Sequence, residues 1–296
     1  MDIQGIPSGA WQNNENKVLI PIDLKRIDGQ SRCLWAALPD EFNEPFLFMS
    51  VKKFVGSNKS LFESLTADLF NEKSQIPKLL IFHTGRCGST LIANLLTKIG
   101  WRVIKEPAVP VKLQFDQPLG VLSAEQWRAV LSNYAHGSAK TCIKFPSVMQ
   151  TGNLDSMLEL GIPTLLILRN PIEIVDSLMK SPPGWSHLEQ DSIELFNFCV
   201  ERVQQVLAKS IDLARHGAVV VDYEEFKDRP SRVLSKLQMF SEFEVKTAEN
   251  LSIERHSKTG NLYTPFDNNQ LHPLIMEHLG LLETRLLIHY ERLRSF

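Results

Sequence analysis

From residue 76 onward the chain alternates short, mostly apolar runs with longer stretches in which apolar residues recur every three or four positions. The runs Leu79–Phe82, Val103–Ile104, Cys142–Phe145, Thr164–Leu168 and Ala218–Val221 read as buried strands. Helical periodicity fills the gaps between them. Thr90–Ile99 carries Leu91, Leu95 and Ile99 and stops at Gly100, a C-terminal stop signal. Ser123–Tyr134 opens with Ser123 and Gln126 at capping-box spacing, then aligns Trp127, Val130, Leu131 and Tyr134 on one side. Asp191–His216 ends at Gly217, and "RPSRVLSKLQMF" offers Pro230 to a first helical turn. This alternation predicts an α/β fold with a doubly wound, mostly parallel sheet.

Residues 1–75 have a different pattern. "KVLIPIDLKRI" and "SRCLWAAL" flank Asp28-Gly29 and predict a β-hairpin. "SLFESLTADLF", with Leu61, Leu65 and Leu69 at i, i+4 and i+8, predicts an amphipathic helix. The expected organisation is an N-terminal extension over 1–75, packed on a main domain over 76–296.

Bulk properties narrow the function classes. A net charge of −2 argues against a broad basic surface for nucleic acid. Cys33, Cys87, Cys142 and Cys199 lie far apart with no CxxC pair, which predicts free thiols in a reducing compartment and no metal site. The start "MDIQGIPSGAWQNNENK" lacks the basic and apolar regions of a signal peptide. No apolar run approaches the roughly 18 residues of a spanning helix. The expectation is a cytoplasmic protein that does not enter the membrane.

Parallel sheets bind ligands at the carboxyl ends of their strands, so the residues just beyond each strand carry the chemistry. In strand order they are the loop Gly85–Thr90, Lys105-Glu106, Lys144, Arg169 and Asp222-Tyr223-Glu224. Most are ionisable. "HTGRCGSTLIANLL" is a strand, a Gly-rich turn and a helix start, the P-loop type of arrangement that directs backbone N–H groups and a helix dipole at an anion. "GRCGST" lacks the lysine of a Walker A motif, which disfavours an ATP-dependent phosphotransferase. Arg86 can stand over the anion, and Ser89 and Thr90 can donate hydroxyls. In "LLILRNPIEIVDSL" Arg169 leaves a strand, Asn170 can cap a helix, Pro171 can begin it, and Ser177 lies eight positions beyond Arg169. An arginine and a hydroxyl so placed suit a second phosphate.

Together these stretches resemble the sulfotransferases that use 3′-phosphoadenylyl sulfate (PAPS). In that family the loop after the first strand, usually Lys or Arg, Ser, Gly, Thr, Thr, binds the 5′-phosphosulfate; here it reads Arg86-Cys87-Gly88-Ser89-Thr90, preceded by Gly85. The family's 3′-phosphate motif, an arginine leaving a strand and a serine eight positions on, matches Arg169 and Ser177. "YEEFKDRP" resembles the family's "YEDMKEDP", whose tyrosine, here Tyr223, lies near the adenine. The resemblance covers roughly residues 76 to 260. It implies a PAPS donor, adenosine 3′,5′-bisphosphate (PAP) as product, no metal, and an acceptor hydroxyl on a small molecule, peptide or glycan.

The implied catalytic groups depart from the cytosolic aryl and steroid branch. That branch uses a histidine in a "KTHLP"-type segment, where this chain has "CIKFPSV". The positions are closer to the tyrosylprotein and some bacterial sulfotransferases. Their glutamate base lies twenty residues after the loop arginine, which is Glu106 here, and their catalytic lysine stands in "KDPF", matched by Lys144 of "KFPS". Such a glutamate takes the acceptor's proton while Lys144 and Arg86 offset charge on the leaving oxygen.

Simpler explanations exist for each group. Glu106 and Lys144 can form a strand-end salt bridge, Cys87 a small loop filler, His83 a strand-end packing residue with a backup role as base, and His136 a helix end. "KSPPGWSHLEQ" (Lys180–Gln190) is a candidate lid over the ligand edge. "ERHSKTGNLYTPF" (Glu254–Phe266) occupies the place of the family's nucleotide-closing loop without its "RKG" form, so only Ser257 and Lys258 inherit a role there. Two alternatives to the transferase stay open: a phosphotransferase using ATP and magnesium, and a PAP- or nucleotide-binding module without turnover.

Overall fold

The computed structural model describes residues 4–5, 17–39, 44, 46–54, 61–71, 73, 75–115, 121–182, 188–189, 192–236 and 271–296. The chain divides into two compact units, residues 1–80 with 92–163 and residues 81–91 with 164–296.

In the first unit the hairpin forms as the Asp28-Gly29 signal requires. β2 (Lys17–Ile27) and β3 (Gln30–Pro39) pair antiparallel around it, after a two-residue β1 (Gln4–Gly5). Asp28 and Gly29 both take positive φ, 49° and 78°, the backbone of the tight turn that suits twisted strands. Pro21 sits at a register shift in β2, where a residue without an N–H is tolerated. Helix α1 (Leu47–Phe54) comes next.

The helix expected over residues 60–70 is a correction. Leu61–Leu65 is strand β4, paired antiparallel to β3 and parallel to β1, and Thr66–Phe70 is a 3₁₀ turn. Leu61 stands opposite Ala36 and Phe62 opposite Trp35, and the Trp35 indole N–H donates to Ser64 Oγ at 3.0 Å. Leu61 and Leu69 are buried whereas Leu65 is 48% exposed. The leucine spacing of four therefore does not describe one buried face. Pairing with β3 satisfies the backbone and overrides local periodicity.

The expected strands appear as β5 (Leu79–His83), β6 (Arg102–Lys105), β7 (Thr141–Lys144), β8 (Thr164–Leu168) and β9 (Val219–Asp222). They form one five-stranded parallel sheet in the order β6-β7-β5-β8-β9. Every residue of β5 and β8 is buried, as strands covered on both faces must be. Each fully buried Leu, Ile or Phe contributes about 1.5–3 kcal/mol.

Helices α2 (Ser89–Lys98), α3 (Ala108–Phe115) and α4 (Ala124–Ala135) come next in the chain. At α4 the Ser123–Gln126 capping box is complete in both directions. His136 caps its far end and gives its carbonyl to Arg102 at 2.7 Å. Helix α3 has no clear periodicity in sequence; Lys112 moors it to the hairpin through Asp23 (2.6 Å) and the Leu24 carbonyl (3.0 Å). A short α5 (Asp155–Leu158) closes the first unit.

In the second unit, α6 (Pro171–Lys180) succeeds β8, with Asn170 accepting from Ile172 N at 3.0 Å and Pro171 as its first residue. Helix α7 (Ile193–Arg215) is capped by Ser192 and stops before Gly217, whose φ is 86°. Asp222 caps α8 (Tyr223–Asp228), and α9 (Pro230–Lys236) begins with the expected proline. Helical turns over Pro273–Glu277, Leu279–Leu282 and Ile288–Arg294 end the chain, with a π turn at Glu283–Leu287. No helix among the described residues is long and apolar enough to cross a membrane.

Candidate functional site

In the second unit the loop after β5 is held in an uncommon backbone. Gly85, Arg86 and Gly88 have φ of 85°, 47° and 72°, the left-handed region that side chains other than glycine rarely adopt. The turn is closed by the Gly85 N–H, which donates to His83 Nδ1 at 3.1 Å, so His83 serves the loop as well as the strand end. Ser89 and Thr90, both buried, are the first residues of α2, the end of a helix whose amides favour an anion. Cys87 is 1% exposed, in keeping with a small filler.

Arg169, leaving β8, reaches this loop. Its Nη1 donates to the Arg86 carbonyl at 2.7 Å, and its Nε pairs with Glu173 one helical turn on, also at 2.7 Å. Its guanidinium lies 5.5 Å from the centroid of the Tyr223 ring, within cation–π range. Tyr223 in turn lies against the loop: a Cβ on Gly88 would stand 2.1 Å from the ring. Three motifs far apart in sequence thus meet in one unit. Arg86 extends to the Ser181 carbonyl at 2.7 Å. Ser177 lies half-buried on α6, eight positions past Arg169.

This donor set is cationic and rich in amides and hydroxyls, and it includes a glycine that an aromatic ring prevents from carrying a side chain. It fits an oxyanion such as a phosphate or sulfate ester. Glu173 was not singled out in sequence, although its i, i+4 spacing from Arg169 was legible there. Burial raises its carboxyl pKa, and the adjoining Arg169 partly offsets this.

In the first unit, Lys105, Glu106 and Lys144 come together at the ends of β6 and β7. Lys144 is fully buried and its Nζ lies 2.5 Å from Glu106 Oε1. Glu106 stands just past the last residue of β6 with φ of 56°, while its N–H still donates to the Lys144 carbonyl at 2.7 Å. A glutamate gains nothing intrinsic from this conformation, which costs about 1–2 kcal/mol. Held backbone strain at an ionisable residue is a common mark of a functional position. Lys105 is 1% exposed and donates to Asn94 Oδ1 on α2 at 2.9 Å. Burial and the Lys144 charge push its pKa down to about 8, against a smaller opposing effect of Glu44. The Phe46 ring, from the segment before α1, has its centroid 5.9 Å from Lys144 Nζ. Asn94 and Phe46 carry no local signal, because their partners lie on other elements.

All four cysteines are free and buried. Burial raises the Cys33, Cys142 and Cys199 thiols, the last to about 11. Among the described residues no three His, Cys, Asp or Glu side chains are grouped to hold a metal. Ser257 and Lys258 lie outside the described residues, as do Trp185 and His187 of the candidate lid.

Among solved structures the chain is similar to a sulfotransferase domain from the Synechococcus PCC 7002 olefin synthase, with 14% identity over 76% of this chain and 94% of that one and a TM-score of 0.40. It is also similar to sulfotransferase STF9 from Mycobacterium avium, with 12% identity over 73% and 79% of the two chains and a TM-score of 0.42. A third is the sulfotransferase domain from the curacin biosynthetic pathway, with 12% identity over 70% and 99% and a TM-score of 0.38. No protein-family model and no curated protein matches the sequence. At such scores these likenesses carry no weight of their own, and the functional reading rests on the residues described above.

Proposed function

We propose that the protein transfers a sulfuryl group from PAPS to an acceptor hydroxyl. The observation that carries this reading is the bond from Arg169 to the Arg86 carbonyl, with Tyr223 packed on Gly88. It joins the three stretches that match the family's 5′-phosphosulfate, 3′-phosphate and adenine motifs. The loop Gly85–Thr90, with Arg86 and the hydroxyls of Ser89 and Thr90, would hold the 5′-phosphosulfate. Arg169 and Ser177 would hold the 3′-phosphate, and Tyr223 the adenine side. Ser257 and Lys258 are assigned to the nucleotide by sequence position.

The acceptor oxygen forms its bond to sulfur as the bond from sulfur to the 5′-phosphate oxygen breaks. Glu106 takes the acceptor's proton. Lys144 and Arg86 offset the charge that gathers on the departing oxygen, and PAP and the sulfate ester are released. Most of the acceleration comes from positioning and electrostatics, as in phosphoryl transfer. The left-handed backbone at Glu106 and its ion pair with Lys144 support the assignment of the base.

The test is to incubate the protein with PAPS and a panel of phenols, sugars, alcohols and tyrosine peptides, monitoring sulfate-ester and PAP formation together. The reading expects equal amounts of both with at least one acceptor, and loss of both in Glu106→Gln by about 10²–10⁴-fold. Turnover that is the same in Glu106→Gln would remove Glu106 from the reaction. Transfer from ATP with magnesium and none from PAPS would replace the reading with a phosphotransferase.

A further inference from the structure

Leu168 and Asp222 are register partners on β8 and β9. The residues that follow them, Arg169 and Tyr223, therefore leave neighbouring parallel strands side by side, with the guanidinium 5.5 Å from the ring centroid. Arginine carries N–H donors on Nε, Nη1 and Nη2. Glu173 takes the Nε donor and the Arg86 carbonyl takes one on Nη1, each at 2.7 Å. Among the described residues no group accepts from Nη2, so that end of the fork is left for an anion. The nucleotide reading above uses Arg169 and gives Glu173 no task.

Glu173 is a costly neighbour for an anion site, because its charge repels the anion that Arg169 attracts. Burial raises its carboxyl pKa, Arg169 offsets part of that, and Glu224 and Asp222 push it up again. Asp222 is engaged elsewhere: it caps α8 and accepts from the Tyr290 hydroxyl. A carboxylate in the first turn of α6 suits the helix dipole, which by itself asks for no bond to Arg169. What Glu173 adds is a second point of attachment. Held by the Arg86 carbonyl alone, the long Arg169 side chain can still turn about that bond. With Nε fixed as well, and the guanidinium over Tyr223, the planar fork has one direction left for Nη2.

We propose that Glu173 is a positioning residue: its carboxylate holds Arg169 by Nε, so that Nη2 is aimed at the 3′-phosphate before the nucleotide arrives. The part played by the phosphate rests on the sulfuryl-transfer reading, while the hold of Glu173 on Arg169 does not. An ordered donor spares the nucleotide the entropy of immobilising a long side chain. That gain outweighs the repulsion between the carboxylate and the phosphate.

The experiment is calorimetric titration of the full chain with PAP, in the parent, Glu173→Gln, Glu173→Ala, Arg169→Ala and the double variant Arg169→Ala/Glu173→Ala. Glu173→Gln keeps an acceptor for Nε and removes the repelling charge, so it is expected to bind PAP at least as tightly as the parent. Glu173→Ala is expected to bind about three- to tenfold more weakly, the cost of ordering one long side chain. In the Arg169→Ala background the same truncation is expected to cost no affinity, because Glu173 acts only through Arg169. Glu173→Met, of similar size and without an acceptor, takes the place of Glu173→Ala if that variant does not fold. Tighter binding by Glu173→Ala would reduce Glu173 to a repelling charge, and a loss that persists without Arg169 would make it a structural residue. Either result overturns the proposal, as does an equal loss in Glu173→Gln and Glu173→Ala.

The Arg169 Nε–H signal in nitrogen-15 spectra is read without ligand. It is expected to exchange slowly with water in the parent and in Glu173→Gln, and fast in Glu173→Ala. Equal exchange in all three overturns the proposal whatever PAP does. A parent that binds no PAP overturns the sulfuryl-transfer reading, and the hold of Glu173 on Arg169 then stands or falls on this signal.

Discussion

Arg169 donates a 2.7 Å hydrogen bond to the carbonyl of Arg86, 83 residues earlier in the chain. The bond runs between a strand end and a loop whose own backbone is left-handed at Gly85, Arg86 and Gly88. A lysine at 169 has no fork with which to bind the Arg86 carbonyl and Glu173 at once. Arg169→Lys is therefore expected to weaken PAP binding almost as much as Arg169→Ala in calorimetric titration. Near-parental binding by Arg169→Lys would reduce Arg169 to a point charge.

Gly88 is constrained twice, by a φ of 72° and by the Tyr223 ring 2.1 Å from where its Cβ would lie. The backbone term alone is about 1 kcal/mol, and displacing the ring adds about 1–3 kcal/mol. Gly88→Ala is expected to lower the melting temperature and weaken PAP binding. Tyr223→Ala in the same chain restores part of the stability, because it removes the ring and leaves the φ strain. A Gly88→Ala protein as stable as the parent would contradict this packing.

Glu106 and Lys144 stand as an ion pair with one partner fully buried. Truncating either side of such a pair costs more than replacing both. Glu106→Gln and Lys144→Met are each expected to destabilise the protein by about 1–3 kcal/mol. A double-mutant cycle in urea should return a coupling of about 1 kcal/mol or more. Simple additivity would show that the pair is not formed in solution.

Lys105 links stability to pH, and the direction is set by its lowered pKa of about 8, against 10.5 for an ordinary lysine. Between these values the unfolded chain holds a proton that the folded chain has released, so stability rises with pH. The gain is complete above about 10.5 and is lost as pH falls through 8; its full size is about 3 kcal/mol. Urea unfolding at pH 7.5, 9 and 10 should show the rise in the parent and a flatter response in Lys105→Met. Identical slopes in the two proteins would place the titration elsewhere.

Much of this was legible in the chain. The five mostly apolar runs map onto β5 to β9 because strands inside a parallel sheet need dense hydrophobicity, which is a local property. The Ser123–Gln126 cap, Asn170 with Pro171, and Gly217 worked for the same reason. Residues 61–65 misled because four-residue leucine spacing fits a helix, whereas their partner β3 is distant in sequence. Within the candidate site, the motif spacing brought Arg169, Tyr223 and the loop to notice. The left-handed backbone of Glu106, the Asn94 contact and the approach of Phe46 to Lys144 all depend on tertiary placement, and no residue pattern announces them.

Whether the loop holds a 3′-phosphorylated nucleotide is decided by calorimetric titration of the purified protein with PAP, and separately with ATP and Mg²⁺. PAP is expected to bind in preference to ATP, with an affinity that falls at least about tenfold, roughly 1.4 kcal/mol, in Arg169→Ala. Equal binding of ATP with Mg²⁺, or PAP affinity unchanged in Arg169→Ala, would contradict it.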